Sequence, residues 1–166
     1  IKSIRKCTDA IFDVHLMIEE PVRYIDDFAD SGADLITFHI EATKDVTKTI
    51  ELIRARNLKV GLAINPETDI NLIKPYLKDI DMALVMTVHP GFGGQSYIDD
   101  CTNKIVMVRK WIDEEKLNCD LEVDGGVKLD NLDMVLEAGA NVIVAGSAVF
   151  KGDICGNTKE FLEKLK

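Results

Sequence analysis

The chain has no Lys/Arg cluster, no C-x-x-C pair, no apolar run approaching the length of a membrane span, and no linker or change of composition along its 166 residues. Each absence excludes a class. A net charge of −9 without a basic patch argues against a nucleic-acid or anionic-membrane surface. Cys7, Cys101, Cys119 and Cys155 are scattered, so neither a disulfide framework nor a cysteine zinc site is expected, and free thiols fit a reducing, cytoplasmic setting. Ile1 to Cys7 carries three cations but no signal-peptide core follows it. With 46% hydrophobic residues the chain is expected to fold as one domain, residues 1–166.

What is present is an alternation of two periods. Short runs of β-forming apolar residues, alternating with polar or small ones most clearly in Ile11–Ile18, Leu58–Ile64 and Cys119–Asp124, predict six strands at Ile11–Ile18, Ala33–Ile40, Leu58–Ile64, Met82–Val88, Cys119–Asp124 and Asn141–Ala145. Helical spacing separates them. Ile1 to Cys7 reads as the tail of a helix. Pro21 opens a helix that Gly32 ends, Asp45 caps a second, and Thr68 caps a short one that Pro75 interrupts. The longest helix carries Ile98, Cys101, Ile105, Val108 and Ile112, Asp130 caps the next, and Thr158–Leu165 closes the chain. Ser31-Gly32-Ala33 and Ala138-Gly139-Ala140 repeat a module of helix, glycine stop and strand.

Strands alternating with helices imply parallel strands, in a doubly wound sheet or a β/α barrel. The barrel is favoured by a face of small or polar groups (Asp13, His15, Lys59, Gly61, Ala63, Glu122, Asp124) and by glycine-rich loops after three late strands. Six units are readable where closure requires eight. The expectation is therefore a (β/α)8 TIM barrel lacking its first two β/α units, N-terminally incomplete, and the Ile at position 1 agrees with that.

Three stretches of bare backbone carry the chemical signal: Gly91-Phe92-Gly93-Gly94, Asp124-Gly125-Gly126 and Gly146-Ser147. Converging at one rim, their N–H groups would cradle a phosphate, because no Lys or Arg lies inside them. The plain alternative for each is an ordinary turn. On the barrel reading His15 and Asp124 both project toward the carboxyl-end mouth, where an imidazole and a carboxylate can share a divalent metal. His39 points inward too and reads as structural, His89 as a solvated loop residue, and Glu122 as a buried acid paired with Lys59. Met17 and Met86 end inner-face stretches and fit either a soft lining or core packing.

Taken together, Phe12-Asp13-Val14-His15-Leu16-Met17, Met82-Ala83-Leu84-Val85-Met86-Thr87-Val88 running into Pro90-Gly91-Phe92-Gly93-Gly94-Gln95, Glu122-Val123-Asp124-Gly125-Gly126, and Ala145-Gly146-Ser147 resemble the ribulose-phosphate 3-epimerase family. The resemblance implies a β/α barrel of the pentose phosphate pathway that interconverts ribulose 5-phosphate and xylulose 5-phosphate with one divalent ion: zinc, manganese, iron or cobalt. It implies His15 and Asp124 as metal ligands and Asp124 as one of two catalytic acid/base residues. It assigns substrate and phosphate contacts to His15, Gly91, Phe92, Gly93, Gly94, Asp124, Gly125, Gly126, Gly146 and Ser147. The family's His-x-Asp strand and its first strand with a serine have no counterpart here, so this chain by itself is expected to be nearly inactive. A homo-oligomer is expected of the full-length protein. An epimerase for another ketose phosphate, such as allulose 6-phosphate, and a non-catalytic sugar-phosphate-binding derivative remain open.

Overall fold

A computed structural model describes all residues 1–166. Its centre is one sheet of six parallel strands in the order β1-β2-β3-β4-β5-β6: β1 (Asp13–Leu16), β2 (Leu35–His39), β3 (Lys59–Ile64), β4 (Met82–Met86), β5 (Asp120–Asp124) and β6 (Val142–Val144). All six are those expected, in shorter form. Sequential order with parallel pairing is what a barrel requires, whereas a doubly wound sheet would reverse its strand order. The helices are α1 (Ile25–Asp30), α2 (Val46–Ala55), α3 (Cys101–Glu114), α4 (Leu132–Glu137), α5 (Ser147–Phe150) and α6 (Ile154–Lys164).

The local signals explain most boundaries. Asp45 caps α2 by accepting a hydrogen bond from the N–H of Lys48 at 3.0 Å. Between β3 and β4 the crossover has only two 3-10 turns, Ile70–Leu72 and Lys74–Tyr76, because Pro75 lacks the N–H a longer helix would use. Four expected details differ. Ile1–Cys7 holds only a 3-10 turn at Arg5–Cys7. The cap before Ile70 is Asp69, which accepts from the N–H of Asn71 at 3.0 Å, rather than Thr68. Asn131 rather than Asp130 precedes α4, and its amide oxygen accepts from the N–H of Lys128 at 2.7 Å. The last helix starts earlier than expected, at Ile154, capped by Asp153.

The main core lies between the outer face of the sheet and the helices. Ile36, Phe38, Val60, Leu62, Ile64, Val85, Leu121 and Val123 pack against Ile53, Ile105, Val108, Ile112 and Val135. A smaller apolar cluster, Ala63, Leu84, Met86 and Val88, fills the concave face. The two clusters are the two faces of the same strands, as alternation dictates. β1 and β6 each have a neighbour on one side only. Six strands have curled, and the curl is strong enough to decide the chemistry below.

Candidate functional site at the carboxyl ends of the strands

His15 on β1 and Asp124 on β5 are separated by four strand-to-strand steps. In a flat sheet that is about 19 Å. Here His15 Nδ1 stands 3.5 Å from Asp124 Oδ2. The sheet has therefore bent until the inner faces of its first and fifth strands meet, and the two residues share one site at the carboxyl ends of the strands.

Beside that pair opens a cavity of about 290 Å³. Gly91, Phe92, Gly93, Gly94, Gly125, Gly126, Gly146 and Ser147 all line it, with Asp124, Met17 and Met86. The glycines divide into two kinds. Around Gly91, Gly93, Gly94 and Gly146 there is open space where a Cβ would stand, so their backbone faces the cavity unobstructed. Gly125 and Gly126 are bare for a packing reason: both have positive φ (128° and 68°), and a Cβ would run into Val88 and into the backbone of Tyr97. The Asp-Gly-Gly turn is thus pressed against the loop after β4 as well as bordering the cavity.

Side chains tie these loops in place. Gln95 donates from Nε2 to the carbonyls of His89 (2.7 Å) and Phe92 (2.8 Å), closing the Gly91–Gly94 loop on itself. The Thr87 hydroxyl donates to the carbonyl of Gly125 at 2.5 Å, and its N–H donates to that of Asp124 at 2.9 Å. Asn131 Nδ2 donates to the carbonyl of Gly126 at 3.1 Å. The rim is held by these hydrogen bonds together with the packing of the Asp-Gly-Gly turn against Val88 and Tyr97.

Three residues read differently in the structure. His39, expected to be structural and partnerless, has Nε2 2.8 Å from His15 Nε2, with the rings stacked at a centroid distance of 4.9 Å. Strand alternation placed it on the right face, but the sequence carries no sign that β1 and β2 put the two imidazoles side by side. Glu122 does not pair with Lys59, which is exposed at the start of β3. The neighbouring acid is Asp13, Glu122 Oε2 is buried without a hydrogen-bond partner, and burial, then the charges of Asp13 and Asp124, push the Glu122 carboxyl up to about 9. The Asp13 carboxyl is raised as well, by partial desolvation, although the residue as a whole is exposed on the edge strand β1. Lys128, two residues past Gly126, also lines the cavity and brings it a cation that the glycine motifs themselves lack. His89 is exposed and ion-paired to Glu67 Oε1 at 2.7 Å, outside the site pair.

His15 and Asp124 are chemically suited to a divalent cation, one through a nitrogen and one through an oxygen. No group of three or more His, Cys, Asp or Glu side chains is assembled that could hold a metal ion.

Comparison with known proteins follows the same lines. The chain is 46% identical over 151 residues to the ribulose-phosphate 3-epimerase of Bacillus subtilis, covering 90% of this chain and 70% of that one. It is 44% identical over 151 residues to the enzyme of that name from Escherichia coli, covering 90% and 67%. With that of Schizosaccharomyces pombe it shares 46% over 142 residues, covering 86% and 60%. The chain thus spans between 60% and 70% of the length of these relatives. Among solved structures, a 3-hexulose-6-phosphate synthase superposes with a TM-score of 0.74 at 22% identity, over 100% of this chain and 79% of that one. A tryptophan synthase alpha-subunit from Pyrococcus furiosus gives 0.69 at 19%, over 99% and 69%; these likenesses support the barrel-type fold. The profile of the Ribulose-phosphate 3 epimerase family matches residues 1–150, and with these identities the chain belongs to that family.

Proposed function

We propose that the full-length protein interconverts ribulose 5-phosphate and xylulose 5-phosphate by moving one proton at the carbon next to the carbonyl. One observation carries the reading: a carboxylate and an imidazole 3.5 Å apart at the edge of a cavity lined by three bare-backbone loops. Abstracting a weakly acidic C–H proton needs a base on one face of the carbon and an acid on the other. Asp124 is one of these, with its carboxyl group opening into the cavity. Its backbone is fixed by Thr87, so the carboxylate is positioned before substrate arrives.

His15 and Asp124 are the residues here that would hold a divalent ion. Such an ion supplies positive charge where the carbonyl oxygen becomes an anion. At the far end of the cavity the N–H groups of the Gly91–Gly94 and Gly146–Ser147 segments bind the phosphate, helped by Lys128. Met86, buried beneath the cavity, and Met17 at its edge give a planar intermediate an apolar, polarizable surface that excludes water.

The 166 residues alone place one carboxylate, Asp124, at the cavity and offer two metal ligands, so we infer that they are nearly inactive without the rest of the barrel. The test is a coupled assay of protein expressed from its complete reading frame, with a panel of ketose phosphates and with Asp124→Asn. Interconversion of the two pentulose phosphates, lost in the variant, is the expected result. Preference for allulose 6-phosphate would change the substrate, and binding without turnover of any ketose phosphate would overturn the catalytic reading.

A further inference from the structure

A second cavity, of about 320 Å³, adjoins the first: Met17, Pro90 and Gly91 border both. Its polar side chains are Glu19, His39, Glu41 and Asn65, at or just past the carboxyl ends of β1, β2 and β3. Two of them carry buried atoms with nothing to bond. His39 is 5% exposed, yet its Nδ1 makes no hydrogen bond, with Glu41 Oε2 standing off at 3.4 Å. The side-chain oxygen of Asn65 is likewise buried and unpartnered. Buried polar atoms are ordinarily paired, so two orphans on one cavity point to a polar ligand from outside the chain.

Charge narrows the choice of ligand. Glu19 and Glu41 give this cavity two carboxylates and no Lys or Arg lines it, whereas Lys128 lines the first, so an anion is disfavoured here. No group of three or more His, Cys, Asp or Glu side chains comes together to hold a metal ion. A neutral group rich in hydroxyls fits what is left. Carboxylate and amide oxygens accept from O–H, and a hydroxyl pairs with an imidazole nitrogen whether or not that nitrogen carries hydrogen. Met17 and Ile18, both exposed, cover the C–H faces. Asn65 is held through its backbone: its N–H donates to Glu41 Oε1 at 2.8 Å, and Lys104 Nζ donates to its carbonyl (3.3 Å) and to those of Pro66 (2.7 Å) and Thr68 (2.5 Å). Its side-chain oxygen is left to serve a ligand.

We propose that this second cavity is the subsite for the hydroxylated end of the ketose phosphate, the end away from its phosphate, and that Asn65 is a specificity-determining residue that binds a hydroxyl there through its side chain. The assignment rests on the phosphate lying against the glycine loops, as in the proposed function, but not on turnover. It carries a length requirement. A ligand must reach from those loops past Met17 before it gains anything from Asn65, so long polyol phosphates feel this residue and short ones do not.

The test is calorimetric binding to full-length protein of ribitol 5-phosphate, which has no carbonyl and cannot turn over, beside glycerol 3-phosphate and inorganic phosphate. Asn65→Leu, similar in size but without the amide, should weaken ribitol 5-phosphate about threefold to tenfold and leave the two short ligands unchanged. Asn65→Asp, which keeps an oxygen acceptor, should bind ribitol 5-phosphate more tightly than Asn65→Leu does. An unchanged affinity for ribitol 5-phosphate in folded Asn65→Leu overturns the proposal, as does an equal loss for all three ligands. If Asn65→Leu fails to fold, the unmodified protein decides by ¹H–¹⁵N NMR. The Asn65 side-chain amide signals, identified by their absence in Asn65→Asp, should move with ribitol 5-phosphate and not with inorganic phosphate, and signals that stay put overturn the proposal. Binding of ribitol 5-phosphate that depends on Asn65, in a protein that turns over no ketose phosphate, leaves the subsite standing and overturns only the catalytic reading.

Discussion

β1 and β5 each contribute two polar residues to the concave face, two positions apart, and the two layers behave in opposite ways. The upper layer joins His15 to Asp124 beside an open cavity. The lower joins Asp13 to Glu122, where burial first, and then neighbouring charge, keep Glu122 protonated up to about 9. Position along the strand, and not residue type, sets the role: an acid at the mouth has a basic partner and an outlet, while an acid one layer down has another acid and must hold a proton. The stretch Glu122-Val123-Asp124 contains one residue of each kind.

The contrast can be broken experimentally, most severely in the upper layer. Asp124→Asn in the full-length protein should lower kcat by about 10²–10⁴-fold, since it removes a proton carrier, with the circular dichroism spectrum retained. An unchanged rate would move the chemistry elsewhere. In the lower layer the effect should be on stability. Glu122 has its carboxyl raised from 4.5 to about 9 in the fold, so the stability it contributes is complete below about 4.5 and is lost as the pH rises toward 9. Glu122→Gln cannot ionise. Urea titrations should show the unmodified chain weakening across that range and the variant losing less, so that the advantage of the variant grows as the pH approaches 9.

The glycines offer a finer version of the comparison. Gly126→Ala forces a Cβ into the Tyr97 backbone at a φ of 68°, and should destabilise the fold by about 1–3 kcal/mol in the same titration. Gly93→Ala meets open space and should leave stability within about 0.5 kcal/mol. Lys128→Met should leave the fold unchanged and act on binding alone. Losing one exposed cation at the phosphate end should raise KM about threefold to tenfold with kcat retained.

Much of this layout was legible before any coordinates. Short β-forming runs, alternating in some strands and continuous in others, located all six strands, and the Gly-Phe-Gly-Gly, Asp-Gly-Gly and Gly-Ser segments marked the loops that line the cavity. Caps were less legible, because Thr68-Asp69 and Asp130-Asn131 each offer adjacent candidates and the local turn selects one. The pairings across the concave face were not legible at all. Lys59 was a reasonable partner for Glu122 by charge, yet it sits exposed at the opening of its strand while Asp13 reaches across the curl. His39 had no partner in sequence, and in space it has His15.

By itself, then, the sequence determined the element order, the face each strand residue occupies and the places where backbone is bare, because these follow from spacing and from what a missing side chain permits. The curvature was decided only in three dimensions. How far the sheet bends depends on the packing of every helix against its outer face, and that bend turns a separation of about 19 Å into a 3.5 Å contact between His15 and Asp124.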